Sequence, residues 1–98
     1  MAFTLIWSPT ARLDLWDVMS YISEFDHGAA ARFGRNVFDS IEQIADFPES
    51  GRIVPEFQDP NIREIILKPC RIVYRVRKEN AVVEIARVWH SARGIPRL

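Results

Sequence analysis

Three residue types in the second half of the chain could together carry out acid–base chemistry on a phosphate ester: Glu56, Arg71 and His90. A glutamate accepts a proton, an arginine neutralises charge developing on a phosphate, and a histidine titrates near neutrality and protonates a leaving oxygen. Those three groups are what RNA cleavage by a neighbouring 2′-hydroxyl requires. The structural alternative is that Glu56 pairs with a nearby arginine and His90 only ends an edge strand.

Most familiar classes of enzyme find no support in the sequence. The sequence has no metal-ligand spacing and no glycine-rich phosphate loop, and no serine lies in a nucleophile-elbow motif. The single cysteine, Cys70, excludes an intramolecular disulfide and a four-cysteine zinc site. We therefore expect no metal and no cofactor.

Charge is distributed unevenly although the net charge is zero. Residues 1–50 hold three basic residues against eight acidic ones, whereas residues 51–98 hold ten against five. Arg71, Arg75 and Arg77 alternate with apolar residues, so a strand here would have one core face and one cationic face. The asymmetry predicts an anionic partner, either nucleic acid or an acidic peptide; a merely solvated sheet face is the alternative.

The elements that must position these residues follow from periodicity. Residues 3–7 read as a strand, and Ser8-Pro9 as the start of a helix. Gly28 is expected in the left-handed conformation that ends this helix. Two apolar stripes at helical spacing predict an antiparallel helix hairpin: Ala11, Leu15, Val18, Met19, Ile22 and Phe25, then Ala30, Phe33, Val37, Ile41 and Ile44.

Three further strands, 62–67, 71–77 and 82–90, should form an antiparallel meander after an irregular or weakly extended connector, Arg52 to Phe57. A loop within 78–81 would pair Arg77 with Val82, Arg75 with Glu84, Val73 with Ala86 and Arg71 with Val88. In this register His90 shares a face with Arg71. The face that packs on the hairpin would collect Ile72, Tyr74, Val76, Val83, Ile85 and Trp89. Arg87 also falls on that face, without an obvious partner.

These elements predict one α+β domain over residues 1–98, of order β-α-α-β-β-β, with the hairpin on one face of a small antiparallel sheet. Phe33, Ile41, Tyr74 and Ile85 should share its core. The chain shows no basic leader and no long apolar run, so we expect a cytoplasmic protein without a membrane partner.

With these residues in place, the chain resembles the RelE/ParE toxin superfamily of type II toxin-antitoxin systems. The resemblance covers nearly the whole chain and rests on the order of several short motifs. They are Trp7-Ser8-Pro9-Thr10-Ala11, Phe47-Pro48-Glu49-Ser50-Gly51-Arg52, Val54-Pro55-Glu56, Arg63-Glu64-Ile65, the run 71–76 and Val88-Trp89-His90-Ser91-Ala92-Arg93. It implies a small toxin neutralised by a cognate antitoxin whose C-terminal segment wraps it. We expect this segment to dock on Arg75, Arg77, Leu13 and Trp16.

The resemblance implies two possible targets. In a RelE/YoeB-like ribosome-dependent messenger RNA endonuclease, Glu56 would be the general base, Arg71 the phosphate-stabilising residue and His90 the general acid. A YoeB-like chain has a tyrosine after that histidine, where this chain has Ser91. In a ParE-like DNA gyrase poison, Arg71, Arg93 and Arg97 could contribute charge to the target-binding surface. The long hairpin and the tail His90-Ser91-Ala92-Arg93 favour the ParE-like alternative; a non-toxic interaction or RNA-binding module is the third alternative.

Overall fold

The computed structural model describes residues 2–98 as two helices packed on a five-stranded sheet. The elements are β1 (Thr4–Trp7), α1 (Pro9–Ser23), α2 (His27–Asp46), β2 (Arg52–Ile53), β3 (Ile62–Leu67), β4 (Cys70–Arg77) and β5 (Val82–His90). Short 3₁₀ turns follow β4 and β5, at Lys78–Asn80 and Ser91–Arg93. The predicted α+β class is confirmed.

The sheet has the order β1-β5-β4-β3-β2 and is mixed. The three predicted strands form the antiparallel meander, but β1 adds to β5 in parallel. The first part of the connector is extended, one of its two predicted forms, because Arg52 and Ile53 pair with β3 as a short edge strand. The predicted antiparallel meander is therefore the centre of a larger sheet.

The observed helix boundaries confirm the predicted start of α1 at Ser8-Pro9. They differ from the prediction in the segment between the two helices. The Ser8 hydroxyl accepts a hydrogen bond from the Ala11 amide at 3.0 Å and so caps α1. Phe25 was expected in the apolar stripe, but α1 ends before it and its ring is exposed. Asp26 caps α2 by accepting from the Ala29 amide, so Gly28 lies inside the first turn of α2. The prediction of a left-handed residue at Gly28 is wrong.

One core joins the hairpin to one face of the sheet. All five residues of the α2 stripe are buried. Phe33, Ile41, Tyr74 and Ile85 belong to a single cluster, as predicted. The core is continuous because the apolar residues recur with the period of a helix in the hairpin and with the period of a strand in the sheet. Each element therefore presents one apolar face to the other.

The β4–β5 register is confirmed only in its first half. Arg77 pairs with Val82 and Arg75 with Glu84, but an irregularity follows, beyond which Val73 is opposite Arg87. Ala86 is the extra residue of this bulge. The predicted pairs of Val73 with Ala86 and of Arg71 with Val88 are therefore wrong.

The bulge lies where β5 exchanges one edge partner for another. β1 accompanies β5 only as far as Ile85. Ser8 then continues along this edge: its amide donates to the Ile85 carbonyl at 3.0 Å and its hydroxyl to the Ala86 carbonyl at 2.9 Å. The Val88 amide donates to the Asp14 carboxylate of α1 at 3.1 Å. Ser8 and Asp14 thus form hydrogen bonds with backbone groups of β5 beyond the point where β1 ends.

The shift exchanges the faces predicted for the end of β5. Val88 joins the core beneath the helices, whereas Trp89 lies opposite Arg71 on the other face, here called the open face. Trp89 is nevertheless buried, and the guanidinium groups of Arg87 and Arg93 lie 4.7 Å and 4.6 Å from its ring centroid. The prediction that Trp89 packs against the hairpin is wrong.

Within residues 2–98, no helix is long and apolar enough to cross a membrane, and no cluster of three His, Cys, Asp or Glu side chains could hold a metal ion.

Candidate functional site

The open face of the sheet carries an ion-pair chain that is centred on Arg71. Two nitrogens of its guanidinium, Nη1 and Nη2, donate to the two Glu56 carboxylate oxygens at 3.0 and 2.7 Å. Its Nε donates to Glu64 at 2.6 Å. All three nitrogens of Arg71 are therefore engaged by carboxylates, and only 10% of the side chain is exposed.

Glu64 extends this chain to a fourth member. Its other carboxylate oxygen accepts from Nε and Nη2 of Arg52, each at 2.6 Å. The Glu64 side chain has no exposed surface, which is tolerated because both of its oxygens are paired. Charges alternate along Arg52, Glu64, Arg71 and Glu56 and cancel. We call these four residues the Arg71 network.

Neighbouring strands and one turn position the network. Arg52 of β2 is opposite Glu64 of β3, and Arg71 of β4 is opposite Ile66, so all of them point to the open face. Glu56 lies in a turn after Val54, a buried residue whose amide donates to the Ile62 carbonyl. The sequence analysis did not identify Arg52 and Glu64 as members of the site. Their alternation along the strands, which places them on the same face as Arg71, could have indicated it.

The network sets the protonation of its members. The hydrogen bonds from Arg71 lower the pKa of Glu56 to about 2. The same contact, assisted by Glu64, raises the pKa of Arg71, although burial opposes this. Glu56 is thus ionised at neutral pH but binds protons weakly, and the charge of Arg71 is offset on two sides.

His90 lies apart from the network. It pairs with Cys70, the neighbour of Arg71, and successive residues of a strand point to opposite faces. The prediction that His90 shares a face with Arg71 is therefore wrong, and the bulge is the reason. Its Nδ1 accepts a hydrogen bond from the Ala92 amide at 3.1 Å. The imidazole lines a groove of about 360 Å³ with Asp17, Val18, Tyr21, Ile22, Pro69 and Arg93.

The other predicted arginines are partly neutralised. Arg75 and Arg77 both donate to Oε1 of Glu84, at 3.1 and 3.2 Å, so two cations share one carboxylate. Arg93 stacks on Trp89, and Arg97 lines a cavity near the start of α1. The cationic face is therefore real but weaker than the count of arginines indicates.

Arg87, which had no predicted partner, is paired with a residue far away in the sequence. Its Nε and Nη2 donate to the Asp14 carboxylate of α1 at 2.7 and 3.0 Å, and this bond raises its pKa. Its Nη1 donates to the Arg97 carbonyl at 2.8 Å. Arg87 thus joins α1, β5 and the C-terminal residues.

The two apolar residues predicted to meet a partner are uncovered. Leu13 is 65% exposed and Trp16 is 72% exposed, both on α1. Single exposed apolar residues are common. A groove of about 260 Å³ is lined by other residues of α1, Arg12 and Leu15, with Trp7 and Phe38.

Comparison with known proteins identifies the family. The family model described as "ParE toxin of type II toxin-antitoxin system, parDE" matches residues 5–95. The chain belongs to the ParE toxin family. The resemblance to the RelE/ParE superfamily predicted from the sequence is confirmed.

Individual relatives of this ParE-family chain carry both superfamily names. Toxin RelE2 of Caulobacter vibrioides is 28% identical over 89 residues, which cover 91% of this chain and 96% of the relative. The chromosomal ParDE structure of P. aeruginosa aligns with a TM-score of 0.71 at 18% identity, covering 91% of this chain and 96% of the other. A mutant of the E. coli toxin RelE, bound to a RelB antitoxin peptide, aligns with a TM-score of 0.65 at 18% identity, covering 100% and 99%. These structural likenesses establish the fold.

Proposed function

We propose that this ParE-family toxin inhibits growth by binding DNA gyrase and does not cut messenger RNA. The observation that carries the proposal is that His90 lies on the opposite face of the sheet from the other two predicted catalytic groups, Glu56 and Arg71. Arg71 is held between two carboxylates on the open face, and His90 belongs to the opposite face.

Cleavage of RNA by a neighbouring hydroxyl needs three groups acting on one phosphate, and the placement of His90 does not favour this. The base, the phosphate-binding cation and the acid must all reach one phosphodiester within hydrogen-bond distance. A phosphate would have to displace Glu56 from Arg71, and that carboxylate, with its pKa near 2, is a poor proton acceptor at neutral pH. A poison that acts by binding needs only a surface.

The target-binding surface in this proposal includes the C-terminal end of the chain. Arg93 and Arg97 project from the residues after β5, and neither forms an ion pair with another residue in 2–98. Cations of this kind attract an acidic target surface and speed its encounter with the toxin.

One observation favours the alternative, a ribosome-dependent endonuclease. Glu56 and Arg71, two of its three predicted catalytic groups, are in direct contact. General acid–base catalysis contributes about 10²- to 10⁴-fold in rate, so loss of Glu56 or His90 would nearly abolish toxicity by this mechanism.

Toxicity and target are tested with the wild type and two variants, Glu56→Gln and His90→Ala, beside the matched surface control Arg32→Ala. Induced expression in bacteria is followed by colony counts, a gyrase supercoiling assay and primer extension on translated messages. We expect growth arrest and loss of supercoiling for all four proteins, without codon-specific cleavage.

Two results would contradict the proposal in different ways. Cleavage that His90→Ala abolishes, with supercoiling unaffected, would establish the endonuclease and give Glu56, Arg71 and His90 catalytic roles. Normal growth at confirmed soluble expression would leave a non-toxic interaction module.

We also propose that a cognate antitoxin neutralises this toxin through an acidic, amphipathic segment. The segment would place carboxylates near Arg75 and Arg77, which share one acid, and apolar side chains on Leu13 and Trp16. A segment that folds on binding suits such an extended surface.

Calorimetric titration with the antitoxin at two salt concentrations tests this docking. The Arg75→Ala/Arg77→Ala double variant should bind more weakly and with a smaller salt dependence, and Trp16→Ala should bind more weakly at both salt concentrations. Arg32→Ala/Arg35→Ala removes the same charge from α2 and serves as the control. Equal affinity and equal salt dependence in all variants would place the antitoxin elsewhere.

A further inference from the structure

A small cavity near the start of α1 is lined by arginines. It encloses about 280 Å³ between the first turn of α1, the bulge of β5 and the C-terminal residues. Its charged side chains all belong to arginines, Arg75, Arg87 and Arg97, and Ala86 and Leu98 also line it. Ser8 and Thr10 add hydroxyl groups. We call this cavity the arginine pocket.

Among the side chains around the pocket, positive charge exceeds the negative charge paired with it. Asp14 offsets Arg87. Glu84 is a single carboxylate shared by Arg75 and Arg77, so one cation remains in excess there. Arg97 adds another, since no ion pair in the described part of the chain involves its guanidinium.

The start of α1 adds to this potential. Its first turn contains no acidic residue, so the partial positive charge of the helix N-terminus is not offset by a side chain. The Ser8 hydroxyl is already used, since it accepts from Ala11 and donates to Ala86. Thr10 presents its hydroxyl at the second helical position.

We propose that the arginine pocket binds a phosphate group. Arginine fits phosphate because its planar guanidinium donates two parallel hydrogen bonds to two oxygens. Arg75 uses only Nη1 on Glu84, which leaves its other nitrogens for an anion. The volume is close to the lower end of small-molecule sites, enough for a phosphate and part of the group attached to it.

The phosphate could come from a free nucleotide or from the backbone of DNA, which share the same chemistry at this pocket. The proposal does not depend on gyrase as the target, because the site is tested by binding alone. Failure of the gyrase assay and failure of phosphate binding are therefore separate results.

Calorimetry on the purified full chain tests the pocket, with inorganic phosphate as the first probe and ionic strength held constant with chloride. Arg97→Ala is the informative variant, because its side chain has no ion pair to lose within residues 2–98 and the fold should be unaffected. Loss of one charge-assisted contact should weaken phosphate binding about tenfold or more. Arg35→Ala, an exposed site on α2, removes the same charge elsewhere.

Saturable phosphate binding that Arg97→Ala weakens about tenfold, and that Arg35→Ala leaves unchanged, would support the site. An equal loss in both variants would show only general attraction of anions and would overturn the proposal, as would no saturation in the millimolar range. Adenosine 5′-monophosphate and a short DNA duplex then distinguish the sources. The tighter ligand whose affinity depends on Arg97 identifies the source, and binding of both without that dependence would refute the pocket.

Discussion

Replacing Glu64 by glutamine tests how much the Arg71 network contributes to stability. The buried Glu64 carboxylate accepts hydrogen bonds from both Arg52 and Arg71. Glutamine keeps the shape but removes the charge, and its amide NH₂ would face guanidinium N–H groups, donor against donor. Arg71 would keep only Glu56 as its counter-ion.

The expected loss follows from burial. Breaking a buried ion pair by removing one partner costs about 3 to 5 kcal/mol. Arg71 retains its two bonds to Glu56, so we expect the lower end, about 3 kcal/mol in the free energy of unfolding. For a domain of this size that corresponds to a fall in melting temperature of roughly 15 °C.

Urea unfolding followed by circular dichroism measures this change, with the slope against urea checked to be constant. Glu49→Gln is the matched control, because Glu49 forms an exposed ion pair with Lys78 and should change stability little. A decrease of less than about 1 kcal/mol in the free energy of unfolding of Glu64→Gln would show that the ion pairs of this buried carboxylate do not stabilise the fold as proposed.

Other perturbations address the acid response and the core. The hydrogen-bonded Glu56 carboxylate has a pKa near 2 in the folded protein, against about 4.5 in the unfolded chain. Its contribution to the stability of the fold is therefore fully present above pH 4.5 or so and is lost as the pH falls through about 2. The urea midpoints of wild type and Glu56→Gln should converge as the pH is lowered across this range. Ile41→Ala, in the core, should cost about 2 to 5 kcal/mol by calorimetry, and an unchanged melting temperature would remove it from the core. A methyl group at Gly51 would lie 2.5 Å from the Tyr74 hydroxyl, so Gly51→Ala should lower the melting temperature more than Gly34→Ala, where only a flexible methionine end is met; the reverse order would contradict this.

The sequence predicted those parts of the fold that follow from local periodicity. Ser8-Pro9 specified the start of α1, and the stripe on α2 specified its buried face. The pairing of Arg75 with Glu84 followed from the short loop and from opposite charges across the strands. Each of these three features depends either on residues that are close in sequence or on the alternation of side chains along a single strand.

The bulge could not be predicted from β4 and β5 alone. It depends on where β1 leaves β5 and where Ser8 and Asp14 of the first segment reach the same edge. One extra residue, Ala86, reverses the alternation and moves His90 away from Arg71. A site predicted from residues on two strands is therefore correct only if the register between those strands is predicted correctly.

Arginine count and available positive charge are different quantities on the open face. The sequence suggested a cationic face from Arg71, Arg75 and Arg77, but Glu56, Glu64 and Glu84 lie among them. Because an offset arginine attracts a distant anion weakly, Arg97, which has no ionic partner within residues 2–98, should attract an anion more strongly than Arg71 does. Substitutions at Arg97 should therefore affect binding of anions more than substitutions at Arg71.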